Sequence, residues 1–496
     1  MLSIEHSLLL AFSFMAKSLK VNYIFNMLNT VTGLLFPLIT FPYASRIMLA
    51  DGIGQVNFFQ SIIQYITLLT CLGIPMYAIR KIASVRDDVA ERNKVATEIL
   101  LLHATLSLIG YVIVVLLAAL VSDIQVNIPL FFILSLTIFF TAIGCEWFYQ
   151  GVEDFKYITI RGLIVKTVAV ILLFVFVRTK EDILWYAGYL VFGTLGSNAF
   201  NFIRLRKYIF WRDLPFKELH PLVHLKPALH IFVLNLVISL YVNLNSIMLG
   251  FMADNTSVGL FTAATKLSHL LLGLVSALGT VMLPRLSNLI STGQKEKFNE
   301  LAQKSITVVM ALTLPLTAGL IMTAKYLIPL FCGNSYEPAI LTLQIISPII
   351  IMIGISNVLG IQILYPQGQE NKVILCTALG ALVNLILNLW LIPRYSQDGA
   401  AVSTLLAETM VTLSMIFIGR RYIPIRWKNK SFLHYFVATC WMTLALHFAS
   451  DLFKSDIINF IFAVIIGTVV YGMWLFVVRE SFLKNMMLSI KAKLKI

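Results

Sequence analysis

Residues Ile231–Pro284, IFVLNLVISLYVNLNSIMLGFMADNTSVGLFTAATKLSHLLLGLVSALGTVMLP, hold two long apolar runs joined by a polar turn, Ala253-Asp254-Asn255-Thr256-Ser257. Each run is long enough to cross a bilayer as a helix, which needs about 20 apolar residues. Lys266 lies well inside the second run, where an ammonium calls for a cavity or a partner. The pattern echoes the start of the chain. Ile247-Met248-Leu249, a turn and Gly259-Leu260-Phe261 follow the order of Ile47-Met48-Leu49, a turn and Gly54-Gln55-Val56-Asn57-Phe58. Two such hairpins predict two related halves, an arrangement common in secondary transporters.

Composition agrees. The 496 residues are 59% hydrophobic and 12% charged, with mean hydropathy +0.86. Soluble domains carry about 25% charged residues, so most of this surface does not face water. The fold class is an all-α polytopic membrane protein. The net charge is +14. The five cysteines, Cys71, Cys145, Cys332, Cys376 and Cys440, lie in or beside apolar runs without a CxxC; they read as small apolar packers rather than disulfides or metal ligands.

Fourteen spans are expected near 22–48, 57–79, 96–120, 128–150, 161–177, 183–203, 229–252, 257–283, 305–331, 341–365, 373–393, 399–419, 431–449 and 456–478. The fifth is short, and the tenth contains Pro348 and Gly354. Leu8–Phe14 is too short to span, and no small-residue cleavage site follows it, so it is not read as a signal peptide. Met15, before Ala16-Lys17-Ser18-Leu19-Lys20, is an alternative start. With both termini in the cytoplasm, 30 of the 38 lysines and arginines fall in inside segments and four in outside loops, Arg178, Lys180, Arg394 and Lys454. That asymmetry sets the orientation. Arg46, Lys166, Lys266 and Lys325 lie within spans.

The division expected is an N-terminal six-helix bundle over 1–203, a cytoplasmic basic linker over 204–228, a C-terminal six-helix bundle over 229–423, and two extra helices with a basic tail over 424–496. His220 and His224 of the linker, with His230 beyond it, fit no recognised zinc spacing; they read as part of a solvated membrane-surface segment. No GxxxxGK[ST] occurs, so nothing points to a built-in ATPase. No DxD occurs, and Asp87-Asp88 reads as a charged loop pair.

Several short runs carry a family resemblance. The first half has Asn22-Tyr23 with Asn26, then Pro37, Pro42-Tyr43, Arg46, Gly52-Ile53-Gly54, Gln60-Ser61 and Arg80-Lys81-Ile82-Ala83-Ser84-Val85-Arg86-Asp87. Glu146-Trp147-Phe148-Tyr149-Gln150-Gly151-Val152-Glu153 follows, then Tyr157 and Arg161. The second half has Gly259-Leu260-Phe261, Ala263-Ala264, Lys266, Pro284-Arg285-Leu286-Ser287, Tyr336-Glu337-Pro338-Ala339, Asp398-Gly399-Ala400-Ala401 and Glu408. Over roughly Ser18 to Tyr422 the chain resembles the Wzx family of O-antigen and polysaccharide-repeat flippases. That family belongs to the MOP superfamily, with the MATE exporters and the lipid II flippases. Ala78 and Tyr149 depart from the family pattern. The resemblance implies two pseudo-symmetric six-helix bundles around a central cavity, often with two extra C-terminal helices. It also implies an undecaprenyl-pyrophosphate-linked oligosaccharide as the cargo.

The expected cavity residues are Arg46, Lys266, Glu408, Glu146, Arg161, Lys166, Asn26 and Asn245. Lys266 is either a cationic contact for a pyrophosphate or half of a structural ion pair, with Glu408 as partner. Glu408 is otherwise a proton or cation site. Arg46 either grips phosphate with its fork or snorkels to the interface. Glu146 is expected to pair with Arg161 or Lys166, and Trp147 to anchor at the interface. Arg80, Arg86 and Arg285 read as positive-inside residues. Asn22, Asn26, Asn29, Asn235, Asn243 and Asn245 read as interhelical hydrogen-bonding groups or as sugar contacts. His103 and His269 read as packed.

The reading is a flippase of the bacterial inner membrane that moves a lipid-linked oligosaccharide by alternating access. It has no catalytic residue, metal or cofactor. Its partners are the lipid-linked oligosaccharide, membrane lipids and other polysaccharide-assembly proteins, with no nucleic acid. The alternatives are a MATE-like ion-coupled exporter and a membrane polysaccharide polymerase. The short loops argue against the polymerase.

Overall fold

Apolar runs in lipid have to satisfy their backbone groups internally. The chain does so as helices, and no strand occurs among the described residues. The structure is a computed structural model that describes residues 2–209, 218–423 and 430–480; within these, the side chains of 2–31, 34–35, 194–195, 230–231, 233–242, 277–278 and 280–281 lie outside the description. The first half runs α1 (Leu2–Cys71), α2 (Ile74–Ser84), α3 (Val89–Leu120), α4 (Ser122–Gln125), α5 (Ile128–Ile143), α6 (Glu146–Gly151), α7 (Phe155–Phe176) and α8 (Ile183–Leu205). After the single turn Pro221–His224 come α9 (Leu225–Met252), α10 (Asn255–Ser291), α11 (Lys295–Cys332), α12 (Ala339–Ile346), α13 (Ile349–Asn357), α14 (Glu370–Gly419), α15 (Lys430–Phe448) and α16 (Asp456–Val477).

Each of the fourteen expected spans falls on helix. Nine helical stretches among the described residues are long and apolar enough to cross a membrane, and two of them are broken by a kink. In α1 the backbone breaks at Leu49 (φ 57, ψ −176), and in α14 at Ser396 (φ 46, ψ −124). Both angles lie in the left-handed region, which side-chain-bearing residues seldom enter. Each break separates two expected spans without a loop. The fifth span is longer than its apolar core. Asp154 caps it, its carboxylate accepting from the Tyr157 N–H at 3.3 Å, so α7 starts at Phe155. The tenth span is broken into α12, α13 and a π-helical turn, Val358–Leu364. Pro348 caps the start of α13, where its missing N–H leaves no helical bond unmade.

The chain divides into two compact units, Met1–Met48 with Gln55–Asn243, and Leu49–Gly54 with Leu244–Ile496. In the first, the Glu146–Gly151 run becomes α6, entered through Cys145 at φ 45. Trp147 was expected at the interface but is only 4% exposed, in one core with Phe148, Tyr149, Ile82 and Ile99. The Tyr149 hydroxyl donates to the Asn201 carbonyl at 2.7 Å. The run therefore packs one end of the bundle, which buries the indole that a span-end position would leave at the headgroups.

In the second unit, the polar turn of the opening stretch starts a helix. Asp254 accepts from the Ser257 N–H at 2.7 Å as the cap of α10. Two glycines bring backbones together here. A Cβ on Gly54 would lie 1.6 Å from the Asn255 carbonyl oxygen, and one on Gly259 would lie 1.9 Å from the Ala50 carbonyl oxygen. Four residues separate the glycine from the opposing carbonyl's residue on both sides. The contact is thus reciprocal, as the repeated hairpin sequence requires. The Asp398-Gly399 run is explained in the same way. Thr342 of α12 donates to Asp398 at 2.6 Å, and a Cβ on Gly399 would meet the Leu391 carbonyl at 2.4 Å. Lys325, expected inside the ninth span, forms an ion pair with Asp451 at the α15–α16 turn, where the Tyr326 hydroxyl also donates. His103 is packed, its Nε2 3.6 Å from the Cys71 sulfur, whereas His269 is exposed rather than packed.

Candidate functional site

The second unit contains a buried polar seam within otherwise apolar helices. Asn245 of α9 donates to the Thr404 hydroxyl at 3.0 Å. Asn388 of α14 donates to the Asn245 side-chain oxygen at 2.7 Å and to that of Asn384 at 3.1 Å. Asn384 and Asn388 are fully buried. Their remaining polar atoms, Asn384 Nδ2 and Asn388 Oδ1, have no hydrogen-bond partner among the described residues. Interhelical amide bonds of this kind hold spans together at about 1 kcal/mol each. Asn245 is thus placed among interhelical bonds, and Asn384 and Asn388, which sequence reasoning did not single out, complete the seam. Only their four-residue spacing on α14, one helical turn, signals them.

Glu408 stands one turn beyond Thr404 on α14 and is 8% exposed. Lys266 is partly accessible on α10, and α10 packs against α14. The structure therefore carries the two charged candidates on neighbouring helices of one unit. A second irregularity faces α10. A Cβ on Gly279 would lie 2.7 Å from the Asn357 oxygen and 3.4 Å from the Gln362 nitrogen. Gln362, on the π-helical turn, is buried and its Oε1 lacks a partner among the described residues. π-turns are rare and concentrate at functional places. The helices of this unit thus carry a lysine, a buried carboxylate and several amides. That set suits recognition of an anionic, hydroxyl-rich molecule. No group of three or more metal-ligating side chains occurs among the described residues.

The other candidates lie in the first unit. Glu146 pairs with Arg161 at 3.1 Å, as the sequence led us to expect. Lys166, half-buried, sits 6.0 Å from the Phe36 ring centroid. Arg46 is exposed on α1, close to the Leu49 break. The side chains of Asn22, Asn26, Asn29, Asn235 and His230 lie outside the description. Arg80 and Arg285 are exposed, and Arg86 pairs with Glu153 at 2.8 Å.

Of the linker histidines, His220 is exposed, as expected, and His224 is not. His224 is 3% exposed rather than solvated. Its Nε2 lies 2.8 Å from the Glu98 carboxylate and its Nδ1 2.7 Å from the Tyr77 hydroxyl. Glu98 also accepts from the His220 N–H at 2.9 Å. A carboxylate that deep needs such donors, so the linker's second half is clamped onto α2 and α3.

Two curated proteins named "Putative O-antigen transporter" are similar to the chain. One is from Escherichia coli (strain K12), 26% identical over 404 residues, covering 81% of this chain and 97% of that one. The other is from Shigella dysenteriae, 28% identical over 398 residues, covering 80% and 99%. Among solved structures, the lipid II flippase MurJ in an inward closed conformation superposes with TM-score 0.74 at 16% identity, over 94% of this chain and all of that chain. An inward-facing MATE family multidrug transporter of the MOP superfamily gives 0.59 at 14% identity, over 78% and 94%. These two establish the fold. The model of the family described as polysaccharide biosynthesis protein matches residues 19–290, more than half of the chain, and the chain belongs to that family.

Proposed function

We propose that this protein is a flippase that carries a lipid-pyrophosphate-linked oligosaccharide, an O-antigen, capsule or exopolysaccharide repeat, across the bacterial inner membrane by alternating access. The observation that carries this reading is similarity to O-antigen transporters along nearly their whole length. The lipid II flippase fold supports it. Lys266 and Arg46 supply cationic contacts for the pyrophosphate, and an undecaprenyl carrier is the lipid that the family resemblance implies. Glu408 contributes either a partner to Lys266 or a coupling carboxylate. The two halves, 1–203 and 229–423, move as bundles joined by the 204–228 linker. Other polysaccharide-assembly proteins supply and consume the cargo.

Deletion is expected to trap lipid-linked oligosaccharide on the inner leaflet, measured by accessibility of the glycan to a membrane-impermeant lectin or glycosidase in spheroplasts. A block in repeat-unit synthesis with no trapped intermediate would favour an enzyme and sink the flippase reading. Export of small cations by the purified protein, with no movement of the lipid-linked glycan, would favour the MATE-like reading.

The basic bias supports a cytoplasmic location for both termini. Reporter fusions after Glu181 and after Ala253 are expected to read as outside, and a fusion after Pro215 as cytoplasmic. An outside signal at Pro215 contradicts the two-halves arrangement, because that linker has to return the chain to the cytoplasm.

A further inference from the structure

The first unit carries a groove of about 650 Å³ between the ends of α7 and α8. Four cationic side chains line it, Lys156, Arg161, Arg204 and Lys207, against one carboxylate, Asp154. Asp154 is already committed to Arg204, at 2.9 Å. The Arg204 guanidinium is further held 3.8 Å above the Tyr157 ring centroid. Arg161 forms the floor. Its side chain is 7% exposed and pairs with Glu146 through Nη2 alone. Its Nε and Nη1 are buried with no hydrogen-bond partner among the described residues. Two unmet guanidinium donors in a dry floor are costly and point to an acceptor that arrives from outside the chain. Lys156 and Lys207 are exposed at the rim and carry no ion pair among the described residues.

The walls identify what brings that acceptor. Ile160, Ile164, Val168, Ile171 and Val175 are exposed along one face of α7, at the three- and four-residue spacing of a single helical stripe. A continuous exposed apolar stripe on a spanning helix is the face that meets acyl chains. Ile160 and Ile164 belong both to that stripe and to the groove, and Phe200 and Ile203 of α8 form the opposite, equally exposed wall. The groove thus opens sideways into lipid, with its cations at the span ends.

We infer that the α7–α8 groove binds the phosphate of an anionic glycerophospholipid taken from the surrounding leaflet. The phosphodiester oxygens meet Arg161 Nε and Nη1, Lys156 and Lys207 neutralise the headgroup, and the acyl chains lie along Ile164 and Phe200. Basic pockets between spans hold anionic headgroups in this manner. The inference does not rest on the transport reading, since it uses only this lateral groove.

The test titrates phosphatidylglycerol into the purified full chain in a neutral detergent, with phosphatidylcholine as reference, and counts bound lipid by native mass spectrometry. Wild type is expected to retain phosphatidylglycerol over phosphatidylcholine. The double variant Lys156→Gln/Lys207→Gln, at exposed positions, is expected to weaken retention roughly thirtyfold, the loss of two surface cations. Glu146→Gln/Arg161→Gln removes the floor without stranding a buried charge and is expected to abolish the preference while leaving the melting curve cooperative. The control Lys295→Gln/Lys297→Gln, on α11, is expected to bind as wild type does. Equal retention of the two lipids by wild type overturns the inference, as does a loss in the control as large as that in the groove variants. A polyprenyl diphosphate arm separates the two phosphate sources. If the groove variants lose that ligand while keeping phosphatidylglycerol, the phospholipid assignment falls.

Discussion

Lys266→Ala is expected to lower transport about a hundredfold while the protein still inserts and expresses, since a hydrogen bond to a charged group is worth about 1.5–3 kcal/mol. Lys266→Arg is expected to keep part of the activity, because the charge survives and only the donor geometry changes. The expectation comes from position. A lysine at mid-span costs about 2.5–3.5 kcal/mol on insertion scales, and this one lies partly accessible on a helix packed against the one that carries Glu408. A purely structural Lys266–Glu408 pair predicts otherwise. Removing one partner would then strand a charge at roughly 3–5 kcal/mol. Both single alanine variants would misfold, and Lys266→Ala/Glu408→Ala would recover. Inserted protein and transport, measured in all three, separate the cases. Recovery of both in the double variant would remove Lys266 from substrate binding and leave Arg46 as the leading cationic contact.

Gly54→Ala is expected to be the most damaging single methyl addition in the second unit. The new Cβ would fall 1.6 Å from the Asn255 carbonyl oxygen, and a backbone atom cannot rotate aside as a side chain would. Ordinary overpacking costs about 1–3 kcal/mol, and here two helices have to separate. Gly259→Ala, at 1.9 Å from the Ala50 carbonyl, is expected to act similarly. Gly188→Ala on α8, with nothing within 4 Å, is the neutral control. Thermal unfolding of the detergent-solubilised proteins, read beside transport, checks all three. Wild-type melting of Gly54→Ala would show that the reciprocal contact is not part of the stable state.

The spans were legible because each needs only a count of apolar residues, and the likeness of the two hairpins because Gly54 and Gly259 sit in matching runs. The Glu146–Arg161 pair was legible from charges on adjacent elements. His224 was not. Its partner Glu98 lies 126 residues earlier, and a basic, proline-containing segment reads as solvated until the fold brings a carboxylate to it. Trp147 was misplaced for a related reason: span-end tryptophans usually anchor at headgroups, but the left-handed Cys145 turns α6 inward. Asn384 and Asn388 were invisible among leucines because a buried amide has no pattern of its own; it is recognised by what it bonds. Lys325 lies within its expected span, but its partner Asp451, 126 residues on, does not show in apolar length.

Leu49, Ser396 and the Ala253–Asp254 turn each join two helices with almost no residues to spare. Length variation among homologous chains therefore has little room at these junctions. A residue inserted beside Leu49 would carry Gly54 about 100° around the helix axis and bring a side chain against Asn255. Insertions and deletions that survive selection are expected to gather in the connections at the opposite end of the spans, and epitope tags placed there are the ones that would leave the protein working.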